Sequence, residues 1–304
     1  MSYLTVFSAP KPFTNPHIAV IQHNAMQSWA SLGPEVDALA VGAEAGLAEA
    51  AAEHGLPLLD QVQRNAAGTP LVSSIFDLAR QASASPYLIC VNGDIILLPE
   101  IVQSVRRIAA GLLAGQPFLL IGQRWDLEIT QRLDFSAGWD ERLRADVKAR
   151  GKLHPPAGSD YFAFPRTAFT AMPDFAIGRA GWDNWMIYHA RQQGWPVIDG
   201  TPSVTIIHQN HDYSHLPGGR PHYDLPESQD NMAMAGGLAH MYMVLDADRQ
   251  LTPGGLRRAP ISLLRSIRSV ERWLTPPNGK LRGLRGALAR RARRLRRRLS
   301  HENS

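Results

Sequence analysis

The eight residues Tyr87-Leu88-Ile89-Cys90-Val91-Asn92-Gly93-Asp94 decide the reading of this chain. Five consecutive apolar residues describe a strand covered on both faces, as in a parallel sheet flanked by helices. In open α/β sheets, ligands bind at the carboxyl ends of the strands, and that is where Asn92-Gly93-Asp94 falls. A carboxylate at 94 then sits at the mouth of a site, and Gly93 lets backbone approach a ligand closely. An ordinary strand-end turn uses the same three residue types, so the triplet needs support from the rest of the chain.

Working outward, apolar β-rich runs alternate with helical patterns, the signature of βαβ units. Residues 3–8 (YLTVFS) form a strand candidate closed by Ala9-Pro10-Lys11-Pro12, and residues 15–32 carry helix-spaced Ile18, Ile21, Ala25 and Trp29. A second strand is expected over 36–41, an Ala/Glu-rich helix over 43–54 and a short third strand over 57–62. Thr69 is expected to cap the next helix, with Pro70 at its first position. Further on, the pattern predicts an amphipathic helix over 100–113, a buried strand over 117–122, a short helix over 163–172, a longer one over 183–193 and a last strand over 204–207. The expected architecture is α/β: a mainly parallel central sheet flanked by helices, followed by a basic helical C-terminal tail.

Composition bounds the function. The chain has 304 residues, 44% of them hydrophobic, enough for a sizeable core. Its lone cysteine, Cys90, excludes an intramolecular disulfide and suits a reducing compartment. No signal-like start and no apolar run of about 20 residues is present, so neither secretion nor a spanning helix is expected. The net charge of +5 hides a division: residues 257–304 carry 15 Lys+Arg against Glu271 and Glu302, a balance of +13 that leaves −8 on residues 1–256. The boundary drawn here is therefore an acidic body, 1–256, and a basic tail, 257–304, and the high overall charge does not make the body a nucleic-acid binder.

Three further stretches can carry chemistry. Gly181-Trp182-Asp183-Asn184-Trp185-Met186 places a carboxylate between two tryptophans. Partial desolvation there raises a carboxyl pKa towards general-base use, and Trp faces suit sugar rings; the alternative is a helix start with Asp183 as cap and the tryptophans as core. His208-Gln209-Asn210-His211-Asp212-Tyr213-Ser214-His215 follows the last apolar strand. A neutral imidazole joined to a carboxylate and diphosphate oxygens makes an octahedral Mn²⁺ site plausible, with Mg²⁺ as the substitute. A solvated loop is the alternative. Gly158-Ser159-Asp160-Tyr161-Phe162 precedes an apolar segment ending at Phe164-Pro165. P-loop, dinucleotide-binding and zinc-cysteine motifs are missing from the sequence.

The Asn92-Gly93-Asp94 stretch resembles the Asp-x-Asp motif of nucleotide-sugar glycosyltransferases of the GT-A fold, which follows a central buried strand and binds a metal bridging the donor diphosphate. Only Asp94 matches a motif carboxylate; Asn92 departs from it. Gly181 to Met186 is similar to the Trp-Asp region of inverting members, N-acetylglucosaminyltransferase I in particular. The resemblance implies Asp183 as the catalytic base and Asp94 with His208 as the metal ligands, His211 and His215 being further candidates. It also implies donor contacts from Ser8, Ala9, Pro10, Arg64, Asn65, Asn92, Gly93 and Asp94, and sugar or acceptor contacts from Asp160, Tyr161, Trp182 and Trp185. The activity implied is metal-dependent hexosyl or N-acetylhexosaminyl transfer, by inversion, from a nucleotide-diphosphate sugar to a saccharide or lipid-linked acceptor in surface polysaccharide or glycan synthesis. Two rivals stay open: a metal-dependent hydrolase built on the histidine loop, and a non-catalytic nucleotide-sugar-binding protein.

In the tail, Leu263, Ile267, Val270 and Leu274 recur at helical spacing, Pro276-Pro277-Asn278-Gly279 interrupts, and Leu281, Leu284, Leu288, Ala292, Leu295 and Leu299 follow among ten Lys+Arg. Basic amphipathic helices of this kind lie on anionic membranes. The expected location is therefore the cytoplasm, peripheral at the inner face of a cell membrane, with no nucleic acid as partner. A disordered solvated tail is the alternative.

Overall fold

The computed structural model describes residues 2–111, 113–211, 225–276 and 283–302. His215 and Leu281 lie outside the described residues, as does most of the His-rich stretch after His211.

The first half is built as its sequence dictates. Strand β1 (Leu4–Ser8) leads to α1 (Pro16–Ala30), whose N-cap Asn15 accepts from the amides of His17 and Ile18 while Pro16 takes a position that needs no donor. There follow β2 (Val36–Val41), α2 (Leu47–Glu53), β3 (Leu58–Leu59), α3 (Val72–Ala82), β4 (Tyr87–Val91), β5 (Ile95–Leu97) and α4 (Glu100–Ala110). Helix α3 starts later than expected: its N-cap is Leu71, and Pro70 instead bridges Arg64 across the preceding loop.

The second half is β6 (Leu119–Ile121), β7 (Trp125–Leu127), α5 (Trp139–Arg150), β8 (Lys152–Leu153), β9 (Tyr161–Pro165), α6 (Trp182–Gln192), β10 (Val197–Asp199), β11 (Ile206–Gln209), α7 (Pro226–Met234), β12 (Arg249–Thr252), β13 (Gly255–Arg258), α8 (Leu263–Leu274) and α9 (Gly283–Glu302). The helix expected over 163–172 does not form. Tyr161–Pro165 is a central strand, antiparallel to both β4 and β6, because its apolar side chains are needed on both faces of the sheet.

The main sheet runs β13-β12-β10-β6-β9-β4-β1-β2-β3, with only β9 and β13 antiparallel to their neighbours. One core cluster contains Met26 and Trp29 of α1 with Ala50 and Ala51 of α2, and another contains Phe76 of α3 with Met186 and Ile187 of α6. The architecture is thus the helix-flanked, mainly parallel sheet that the resemblance implies, with a helical tail. A second sheet, β5-β11-β7-β8, leaves the carboxyl end of β4 immediately after Asp94. Its register sets His208 opposite both Ile95 and Asp126.

Candidate active site at the carboxyl edge of the sheet

Gly93 is required by close approach. A Cβ there would lie 3.0 Å from Pro10 Cα and 3.2 Å from Gln22 Oε1. Gln22 in turn holds the loop after β1, accepting from Lys11 N at 2.6 Å and donating to Lys11 O at 2.8 Å. The first strand's loop and the 92–94 turn are thereby packed against each other, as expected where a ligand sits over adjacent strands.

Asp94 is buried, and its Oδ2 lies 3.0 Å from His211 Nε2 and 3.4 Å from Lys11 Nζ, with those two nitrogens 3.2 Å apart. Its Oδ1 has no hydrogen-bond partner among the described residues. Burial by itself would raise the Asp94 pKa, but Lys11, the hydrogen bond to His211 and the neighbouring His208 hold the carboxyl well below its ordinary range. The ligand-capable atoms of Asp94, His208 and His211 all fall within 4.8 Å of one another. A buried carboxylate clustered with two imidazoles, and with one oxygen unpartnered among the described residues, is a donor set that fits a divalent cation.

Asp126 ties the second sheet to this cluster. Its Oδ1 is 3.1 Å from His208 Nδ1 and 2.9 Å from Arg124 Nε, and its Oδ2 is 2.7 Å from His154 Nδ1. Against the cost of burial, the hydrogen bond with His154, the adjacent His208 ring and the charge of Arg124 keep the Asp126 carboxyl far below its ordinary pKa. Arg124 also grips Asp160 through both carboxylate oxygens, at 3.1 and 3.0 Å, and Asp160 accepts from Asn92 Nδ2 at 2.7 Å.

Asp183 stands in the first turn of α6, with Gly181, not Asp183, as the N-cap. Burial pushes its pKa up to about 6, with Asp160 adding in the same direction against backbone hydrogen bonds that lower it. Gly158 leaves room for this carboxylate, since a Cβ there would lie 3.2 Å from Asp183 Oδ2. The rise comes from burial of Asp183 in the fold and, second to it, from the negative charge of Asp160. The tryptophans are core residues: Trp182 packs on Phe162, while Trp185 stacks on His189 and meets Phe175 edge-on.

The remaining expected contacts are distributed unevenly. Ser8 is fully buried at the carboxyl end of β1 and its Oγ has no hydrogen-bond partner among the described residues, Ala9 is half-buried and Pro10 is buried. Arg64 is committed to Glu44 at 2.6 Å, and Asn65 folds its own loop by accepting from Ala67 N and Thr69 N while donating to Glu227 at 2.7 Å. Tyr161 is fully buried, its hydroxyl wedged where a Cβ on Gly122 or Gly200 would come within 2.8 or 2.7 Å. Lys11, Arg124, Asp126 and His154 were not singled out by the sequence pattern. For Arg124 and Asp126 a signal existed, because Arg124-Trp125-Asp126 follows an apolar strand as Asn92-Gly93-Asp94 does.

No protein-family model matches the chain, and no curated protein matches it. Solved structures do. Glucosyl-3-phosphoglycerate synthase from Mycobacterium tuberculosis, in complex with Mn²⁺, uridine diphosphate and phosphoglyceric acid, is 16% identical over 86% of this chain and 88% of that one, with a TM-score of 0.45. A mannosyltransferase from Pyrobaculum calidifontis, in complex with GDP-Man and Mn²⁺, is 14% identical over 67% of this chain and 56% of that one, with a TM-score of 0.43. Both are likenesses of overall chain path.

Proposed function

We propose that this chain is a metal-dependent glycosyltransferase that moves a sugar from a nucleotide-diphosphate donor to a hydroxyl acceptor with inversion. The reading is carried by one observation: the buried Asp94 carboxylate, with an unpartnered Oδ1, faces His208 and His211 at the carboxyl edge of the sheet. Asp94, His208 and His211 are the residues that would hold Mn²⁺ or Mg²⁺. A divalent cation there supplies charge neutralisation for the departing diphosphate. Lys11, beside Asp94, is placed to add a point charge for the same phosphates.

Asp183 is assigned as the base. A carboxyl with a pKa of about 6 is ionised at neutral pH yet basic enough to take the acceptor hydroxyl proton as the oxygen attacks the anomeric carbon. The bond from that carbon to the diphosphate breaks, and the nucleotide leaves with the electron pair. Asn92, Arg124 and Asp160 form the hydrogen-bonded floor linking the two halves of the site, since Asp160 touches Asn92 and also acts on the charge of Asp183. The acceptor is assigned as a saccharide or lipid-linked hydroxyl.

The lipid-proximal part of this reading comes from the tail. Helices α8 and α9 turn a charge cluster towards each other: Glu271, 1% exposed, receives Arg293 and Arg296, each at 2.8 Å, and Arg268 at 3.3 Å. Several of their large apolar side chains face outward, with Leu263 67%, Trp273 74% and Leu284 79% exposed. No helix among the described residues is long and apolar enough to cross a membrane. Outward leucines and a tryptophan among arginines fit a surface that lies on anionic lipid.

The deciding experiment is calorimetric titration of uridine and guanosine diphosphate sugars into the protein with Mn²⁺ and with chelator. Mn²⁺-dependent binding that Asp94→Ala abolishes is expected. Binding of no nucleotide sugar under any of these conditions would overturn the reading.

A further inference from the structure

A second group of metal-ligating side chains lies apart from Asp94. His23 is six residues beyond His17 on α1, about 9 Å further along the helix, and His17 is the residue that reaches the active-site side by bonding Asn210 O at 2.9 Å. Facing His23 are Glu53, the last residue of α2, and His54, its C-cap. His23 Nδ1 is 2.9 Å from His54 Nε2 and 3.5 Å from Glu53 Oε2, and one ligand atom from each of the three falls within 4.8 Å of the others. A tetrahedral zinc ion with bonds of about 2.0–2.2 Å spaces its ligand atoms about 3.3–3.5 Å apart. The three side chains are therefore already near that spacing.

The surroundings prepare each ligand. His54 uses its other ring nitrogen, Nδ1, on Gln27 Oε1 at 2.9 Å, and Gln27 turns its amide nitrogen to Ser31 Oγ at 3.5 Å. The carbonyl oxygen of Gln27 thus faces the imidazole, so Nδ1 carries the proton and Nε2 keeps its lone pair towards the cluster. This is the outer-shell arrangement that orients metal-bound histidines. Arg132 holds Glu53 Oε1 at 2.6 Å and leaves Oε2 turned to His23. Burial, with Arg132 assisting, lowers the pKa of His23, and burial lowers that of His54 to about 4, so both rings are neutral at pH 7. Phe13 closes one side of His23 edge-on at 5.3 Å.

We propose that His23, Glu53 and His54 form a zinc site, with the fourth position open to water, that fastens α1 to the end of α2. On binding, neutral His23 changes tautomer, its one ring proton exchanging through solvent from Nδ1 to Nε2, so that the Nδ1 lone pair can bond the ion and the ring stays neutral. The proposal is independent of the glycosyltransferase reading. It is tested with untagged full-length protein by equilibrium dialysis against Zn²⁺ at pH 7.5, using Asp94→Ala to remove the other cluster. One bound equivalent is expected for Asp94→Ala and none when His54→Ala is added. Gln27→Ala should weaken binding by about 10–100-fold, as loss of an outer-shell partner does. Co²⁺ in the Asp94→Ala protein should give the intense visible bands of four-coordination. Because the double variant could unfold, wild type and His54→Ala are also compared with folding checked by circular dichroism, and the single variant should bind one equivalent fewer. An Asp94→Ala protein that binds no Zn²⁺, or a folded His54→Ala protein that binds as much as wild type, would overturn the site.

Discussion

Asn92 donates its side-chain amide to Asp160 Oδ1 at 2.7 Å. This relationship explains why the residue two before Asp94 is not a carboxylate: an Asp at 92 would face Asp160 with like charge in a half-buried site, where only one of the two could stay ionised at little cost. On the proposed reading, Asp94 alone of the pair is kept for a cation, while Asn92 holds Asp160. Asn92→Asp should therefore lower turnover rather than improve it, and should loosen the Arg124–Asp160 pair. Kinetics at saturating Mn²⁺ would check this; higher turnover in the variant would refute the positioning role.

If Asp183 is the base, as proposed, it sets the pH dependence. As a base it must be ionised, so kcat/KM should fall as pH drops through about 6. Asp183→Asn should cut turnover by ~10²-fold or more, as removal of a general base does, while leaving donor affinity nearly unchanged. A pH profile in which the variant keeps the acidic limb near 6 would assign that limb to another group.

The same carboxyl makes a stability prediction. Its folded pKa lies above that of the unfolded chain, so ionisation costs folding stability, and the cost grows as pH rises from about 4 through about 6. Asp183→Asn should gain stability relative to wild type between pH 5 and pH 8, on the order of 1–2 kcal/mol after allowance for partial exposure. Denaturant unfolding of both proteins at the two pH values reads this directly; a constant difference would mean that Asp183 is not desolvated.

Lys11 sits 3.4 Å from Asp94 Oδ2 and 3.2 Å from His211 Nε2. Its ammonium opposes a cation and favours phosphate. Lys11→Met should strengthen Mn²⁺ binding alone and weaken donor binding by about tenfold, a split that titration of each ligand separately would resolve. Parallel changes in both affinities would exclude the assignment.

For the tail, truncation after residue 276 keeps β13 and the buried Arg268–Asp246 ion pair, with Arg268 Nη2 2.8 Å from Asp246 Oδ2, and removes only α9. The truncated protein should bind donor as before and lose most of its sedimentation with anionic vesicles, and salt should weaken binding of the full chain because exposed charges are screened beyond ~8 Å at physiological ionic strength. Equal sedimentation of both proteins would remove α9 as the contact.

The sequence by itself determined the strand–helix alternation of the first half, because continuous apolar runs such as 87–91 and helix-spaced residues such as Ile18, Ile21 and Ala25 report their own burial. It also singled out Asp94 and His208 as residues following apolar strands and Asp183 as a carboxylate between two tryptophans. It misjudged 163–172 as a helix, although the apolar run Tyr161–Pro165 is equally compatible with a buried strand; pairing with both β4 and β6 decides for the strand. The partners of the site were decided by tertiary structure alone. Asp126 reaches His208 through the pairing of β7 with β11, Asp160 reaches Asn92 across 68 residues, and His211 meets Asp94 across 117. Whether an aromatic neighbour desolvates a carboxylate or merely fills the core, as Trp182 and Trp185 do, also depends on which way the helix faces when packed. Contacts of that range are fixed by strand register and helix packing, which a linear pattern of residue types does not encode.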